Sequence, residues 1–261
     1  MQALLRQLQV HMPFRDLHDR YLDLVLREGI NPEISFDYSA LERFTDEDYR
    51  RIGDRLLAAG RTITFHAPFM DLRPGALDPD IRRISRYRIQ SILALVPYFR
   101  PMSIVCHPSF DHRYYVSTEE LWLKNSIETW GALAAVAEEA DTIIALENVY
   151  EREPRVMQRL LSACDSPRLR FCFDAGHYQA FSSASLEDWI ESLAPYLHQL
   201  HLHDNQGTAD EHLPVGCGAF PFSRLFALLR ARGLRPIVTL EAHDEESLWQ
   251  SLDNLSAMAL F

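Results

Sequence analysis

The chain has 261 residues and a formal charge of −11, from 26 Lys+Arg against 37 Asp+Glu. With 47% hydrophobic and 24% charged residues it has the composition of a folded globular protein, and its acidic balance disfavours DNA, whose phosphates call for Lys and Arg. No apolar run approaches the roughly 20 residues of a membrane span. The N-terminus MQALLRQLQVHMPFRD lacks the apolar stretch and cleavage site of a signal peptide, so a cytoplasmic location is expected. The cysteines Cys106, Cys164, Cys172 and Cys217 form no CxxC pair and are expected to be buried free thiols.

Short apolar runs alternate with longer amphipathic ones along the whole chain. Strands are expected at 8–12, 32–37, 62–67, 102–107, 142–147, 169–174, 198–204 and 236–241. The stretches between them repeat apolar residues at i, i+3/i+4 and i+7, as helices burying one face do. Examples are 17–29, 45–60, 78–99, 119–140, 154–165, 185–197, 221–233 and 245–258. Thr45, followed by Asp46 and Glu47, marks one helix start, while Gly60 and Gly233 mark two ends. Parallel strands need such helical crossovers. No GxGxxG or GxxxxGK[ST] loop follows a strand, and no linker divides the chain. Eight repeats therefore predict one α/β domain over 1–261, a closed (β/α)8 barrel.

Alternation along the strands separates two faces. Ile63/Phe65, Ile144/Leu146, Phe171/Phe173, Leu200/Leu202 and Val238/Leu240 form a bulky face suited to the helices. The opposite face runs from small or polar residues to a ligand-type residue: Thr64 to His66, Val105 to His107, Ala145 to Glu147, Cys172 to Asp174 and Thr239 to Glu241, with His201 and His203 both on this side. In a barrel these C-terminal tips converge where catalytic groups are found. His177 in DAGH and Asp210 and His212 in DEHLPVGCG join the set. Packed together, such imidazoles and carboxylates would be costly to desolvate. A divalent cation resolves the conflict, and the mixed donors suit Zn, Mn, Fe or Co better than Ca or Mg.

With FHAPF at 65–69, CHP at 106–108, LEN at 146–148, FDAGH at 173–177, HLHD at 201–204, DEHLPVGCG at 210–218 and LEAH at 240–243, the chain resembles the xylose isomerase-like TIM barrels. These include endonuclease IV, sugar isomerases and epimerases, and small-molecule phosphodiesterases. The resemblance to endonuclease IV implies a metal-ligand set of His66, His107, Glu147, Asp174, His177, His201, Asp210, His212 and Glu241, holding two or three divalent ions. An isomerase of the family implies a smaller, single-ion set of Glu147, Asp174, His201 and Glu241, with Glu147 and Glu241 as the acid/base pair.

Several cations sharing carboxylates suit phosphoryl transfer, so the first expectation is a metal-dependent phosphodiesterase with Glu147 and Glu241 as catalytic groups. The alternative is a sugar or sugar-phosphate isomerase or epimerase. The expected substrate is a small nucleotide-containing metabolite or cofactor rather than DNA, a cobamide being one candidate by resemblance. Phe69, Met70, Tyr114, Tyr115 and Tyr178 are candidates to stack on a flat group. Arg82, Arg83, Arg86 and Arg88 read as one solvated helix surface. Oligomeric state and the roles of His11, His203 and His243 stay open.

Overall fold

A computed structural model describes residues 2–259. Among them, eight parallel strands close into one barrel: β1 (Gln9–Pro13), β2 (Asn31–Ser35), β3 (Thr64–His66), β4 (Ile104–Cys106), β5 (Ile144–Glu147), β6 (Leu169–Asp174), β7 (Leu197–Leu202) and β8 (Ile237–Leu240). Each strand pairs with its sequence neighbours, and β8 returns to β1. All eight expected strands are present. Several are shorter than their hydrophobic runs, chiefly at the start, with β3, β4 and β5 each beginning two residues late. His107, His203 and Glu241 lie one residue beyond β4, β7 and β8, and Glu241 still donates its N–H to the Leu202 carbonyl.

The helices follow the amphipathic pattern, with two differences. The stretch 78–99 divides into Pro79–Leu93 and Val96–Phe99, where Pro97 lacks the N–H that a continuous helix needs. The stretch 17–29 opens with a π-helical turn, Leu17–Tyr21, before the helix Leu22–Glu28. Thr45 forms a full capping box with Asp48. Gly60 and Gly233 take φ of +68° and +66° at helix ends, a conformation that costs glycine least.

The two strand faces divide as the alternation requires. Phe65, Ile144, Leu146, Phe171, Phe173, Leu200, Val238 and Leu240 join the helices in the main core. Inside the barrel, Val105, Ala145 and Cys172 form a small apolar cluster of their own. The rest of the interior is polar: Glu33, Thr64, Ser103, Gln199 and Thr239 have no accessible surface. One cysteine expectation is corrected, since Cys217 is exposed on the loop after β7 and Cys164 is only partly covered. No described helix is long and apolar enough to cross a membrane.

Candidate functional site

Strand tips deliver the site. All nine ligand-type residues expected from the sequence lie within a network of short imidazole–carboxylate contacts at the C-terminal mouth of the barrel. Glu147, at the end of β5, is its hub. Its Oε2 is 2.9 Å from His107 Nε2 and 3.2 Å from His66 Nε2, and its Oε1 is 3.2 Å from His201 Nδ1 and 3.3 Å from His177 Nδ1. Burial opposes ionisation of Glu147, but the surrounding histidines, His201 first, hold its carboxyl well below the usual range. His201 Nδ1 is also 3.0 Å from Glu241 Oε1 and 3.8 Å from Asp174 Oδ2. Farther out, Asp210 Oδ2 meets His177 Nε2 at 3.3 Å and His212 Nε2 at 3.2 Å.

These residues form adjoining donor groups whose ligand atoms lie within 4.8 Å of one another: His66, His107 and Glu147; Glu147, Asp174 and His201; and His177, His203, Asp210 and His212. The donor set fits divalent cations for a further reason. A histidine ligand needs one nitrogen free and the other tied to an acceptor. His66 Nδ1 is 2.9 Å from the Ala67 carbonyl and His177 Nδ1 is 3.0 Å from the Asn148 carbonyl. Their Nε2 atoms are thereby left for the cluster. His203 Nδ1, Asp210 Oδ1 and His212 Nδ1 are buried without hydrogen-bond partners, a cost that an unaided protein interior rarely tolerates.

Local structure explains several motif residues. The Asn148 amide clamps the main chain of Asp174, accepting its N–H at 2.9 Å and donating to its carbonyl at 3.0 Å. Asp174 also caps the helix Ala175–Phe181 by accepting the His177 N–H. Gly176 is required by close approach, because a Cβ there would lie 2.0 Å from Cε1 of His203. Asp204, fully buried, accepts from the backbone N–H groups of Asn205, Gly216, Gly218 and Phe220. That carboxylate organises the loop carrying Asp210 and His212, and Gly218 leaves room for it: a Cβ would fall 2.4 Å from Oδ1. His212 itself takes a φ of +50°, uncommon outside glycine.

The cluster floors a cavity of about 830 Å³, also lined by His11, Phe69, Met70, Arg73, Tyr114, Tyr115, Tyr150, Phe181 and His243. Of the aromatic candidates, Tyr178 is corrected: its hydroxyl donates to the Ala184 carbonyl and its ring packs on Phe173 and Phe220, away from the cavity. Arg82 binds the Ala76 carbonyl, Arg83 pairs with Asp80 and Arg88 with Glu42, as a solvated helix surface would. Sequence reasoning missed Glu33, Asp204, Arg73, Tyr150 and Phe181. The alternation that found Thr64 and Thr239 also places Glu33 on the interior face of β2.

Comparison with known proteins agrees with this architecture. The "Uncharacterized protein MJ1311" of Methanocaldococcus jannaschii is 26% identical over 69% of this chain, which spans only 64% of that relative's length. The TTHB071 protein of Thermus thermophilus, in a crystal soaked with ZnCl2, is 26% identical over 97% of this chain and 98% of its own, with a TM-score of 0.81. A D-tagatose 3-epimerase-like protein, 19% identical over 97% of both chains, has a TM-score of 0.83 and shares the fold. Residues 31–258 match the family of xylose isomerase-like TIM barrels, and the chain belongs to that family.

Proposed function

We propose that this protein is a divalent-metal-dependent phosphodiesterase acting on a small molecule. The observation that carries the reading is the extent of the donor network. A single-ion isomerase has use for Glu147, Asp174, His201 and Glu241, whereas here His66 and His107 extend it on one side and His177, Asp210 and His212 on the other. A structural zinc site, which closes with four protein ligands, leaves most of these donors unexplained. The cavity volume of about 830 Å³ falls in the range of small-molecule sites.

Cations held by these groups would supply Lewis-acid stabilisation of the charge developing on phosphoryl oxygens. The chain's own groups do the rest. Glu147, kept ionised by its imidazole neighbours, accepts a hydrogen bond from the attacking water and orients it. Glu241, on the cavity wall and also held below the usual carboxyl range despite burial, takes up the water's proton as the P–O bond to the leaving alkoxide breaks, and returns it to that alkoxide to give an alcohol and a phosphomonoester. The rings of Phe69 and His107 stack with centroids 4.5 Å apart, which shields that side of the cluster from solvent. Zn, Mn, Fe and Co remain the expected ions.

The epimerase-like structural neighbour favours a second reading, in which Glu147 and Glu241 move a proton beside a sugar carbonyl. One experiment separates the two. Metal-loaded protein is assayed with bis(p-nitrophenyl) phosphate and a panel of nucleotide-containing phosphodiesters, and in parallel with aldoses and ketoses in D2O. Hydrolysis that falls by about 100-fold or more in Glu147→Gln supports the phosphodiesterase. Silence on every diester, together with deuterium entering a sugar carbon, establishes the isomerase instead.

A further inference from the structure

A buried carboxylate with no assigned part in the site lies directly beneath it. Glu33 projects from the middle of β2 into the barrel and has no accessible surface. Its Oε2 accepts from the hydroxyls of Thr64 at 2.9 Å and Thr239 at 3.0 Å, and from the Gln199 amide. Its Oε1 has no hydrogen-bond partner and lies 2.9 Å from His201 Nε2, the nitrogen that the Gln199 amide also approaches, at 3.5 Å. The opposite nitrogen of that ring, Nδ1, faces Glu147, Asp174 and Glu241.

An ionised carboxylate accepts hydrogen bonds and donates none. With cations held by the carboxylates in front of Nδ1, Glu33 is the acceptor that faces the other side of the ring, so Nε2 carries the proton and the lone pair of His201 lies on Nδ1, inside the donor cluster. We propose that Glu33 is a positioning residue: it fixes the tautomer and orientation of His201 so that Nδ1 serves as a metal ligand. The negative charge behind the ring also makes that nitrogen a better donor, as outer carboxylates do for metal-bound histidines. The three donors on Oε2 hold the carboxylate in place, so β2, β3, β7 and β8 all contribute to aiming one imidazole. The inference rests on the reading of the cluster as a metal site.

Glu33→Gln is nearly isosteric and makes a directed test. The amide oxygen keeps the three donors, so the amide NH2 turns to His201 Nε2, which must then accept. The ring is driven to the Nδ1–H tautomer, with its proton aimed into the cluster. The expected result is a loss of about 10–100-fold in the affinity of one ion, measured by chelator competition with elemental analysis. A matching change in the His201 15N signature is expected in zinc-loaded protein. Thr64→Val serves as the control: it loosens the support of Oε2 but keeps the contact with His201, and is expected to lower Tm while metal affinity holds.

Equal metal affinity in wild type and Glu33→Gln, or equal loss in Glu33→Gln and Thr64→Val, overturns the proposal. If Glu33→Gln does not fold, the protonated nitrogen of His201 in zinc-loaded wild-type protein still decides, and Nδ1–H there refutes it. Wild-type protein that takes up no divalent ion refutes the metal reading instead, and is distinguishable because uptake is counted separately by elemental analysis.

Discussion

The imidazole rings of His203 and His212 lie parallel, their centroids 3.8 Å apart and their planes at 1°. Lone pairs in parallel planes point side by side, so one ion held between these two rings would meet poor ligand geometry although both belong to one donor group. His203 plays a different part, since its Nε2 sits 3.1 Å from each oxygen of Asp174 while its face supports His212. It couples the inner ligands to the outer ones. Gly176→Ala tests this coupling, because the added Cβ meets the His203 ring at 2.0–2.6 Å. Overpacking of this kind costs about 1–3 kcal/mol. Calorimetry is expected to show a lower Tm, and metal analysis a weakened ion at His177, Asp210 and His212.

Asp204 carries a larger stability burden. Asp204→Ala strips four backbone N–H groups of their acceptor, of which those of Asn205 and Phe220 are buried, and each buried orphan costs about 1–3 kcal/mol. A loss of about 3 kcal/mol lowers Tm by roughly 6–12 °C in a chain of this size. Proteolysis is expected to cut first within 204–220, with the barrel strands protected.

The charge pattern fixes the pH response of chelator-stripped protein. Burial lowers the pKa of His201 and His177, but their carboxylate neighbours outweigh it and raise both well above 6.5. Stability from these pairs is complete below the unfolded value and is lost as pH rises through the folded ones. Burial pushes Glu151 up to about 7, which acts in the same direction between the unfolded value of 4.5 and 7. Glu147 and Glu241 are lowered, so their contribution is present above 4.5 and fails as pH falls through their folded values. Burial holds His11, His107, His198 and His243 below 6.5, so their contribution is lost as pH falls below that value; Tm of stripped protein is therefore expected to be highest near pH 6.5 and to decline toward pH 9. Metal-loaded protein, in which cations replace those protons, is expected to lose this decline. A stripped protein that becomes more stable between pH 7 and 9 contradicts the assignment.

Asn148 offers a fourth check. Its amide bridges the LEN turn to the backbone of Asp174 through two hydrogen bonds. Asn148→Ala leaves the Asp174 N–H without its acceptor and frees the tip of β6. A fall of about 10–100-fold in metal affinity is expected, with a Tm loss of about 1–3 kcal/mol equivalent, read by chelator competition and calorimetry.

The barrel and the convergence of its nine ligand-type residues were legible because both follow from local rules. A period-2 alternation assigns His66, Glu147 and Asp174 to one face, and the six tips that end this way meet only in a closed sheet. What stayed hidden depends on partners far away in sequence. Glu33 reads as one polar residue in a short strand until Thr64, Gln199 and Thr239 arrive from 31, 166 and 206 positions away. Asp204 reads as one more acid beside a histidine, because its partners are backbone groups. Tyr178 misleads, since ring type and proximity to a motif do not reveal that its hydroxyl is spent on Ala184. The His201/His203 ambiguity was real: both share one parity, and only distances show one facing Glu147 and the other bracing Asp174.

Asp210 and His212 differ from the other ligands in how they are mounted, being carried on a loop laced to one carboxylate rather than on or beside a strand tip. Their placement thus depends on the fold of 204–220, pinned by the buried Asp204 carboxylate, and a change in that loop can move both side chains while leaving the strand ladder intact.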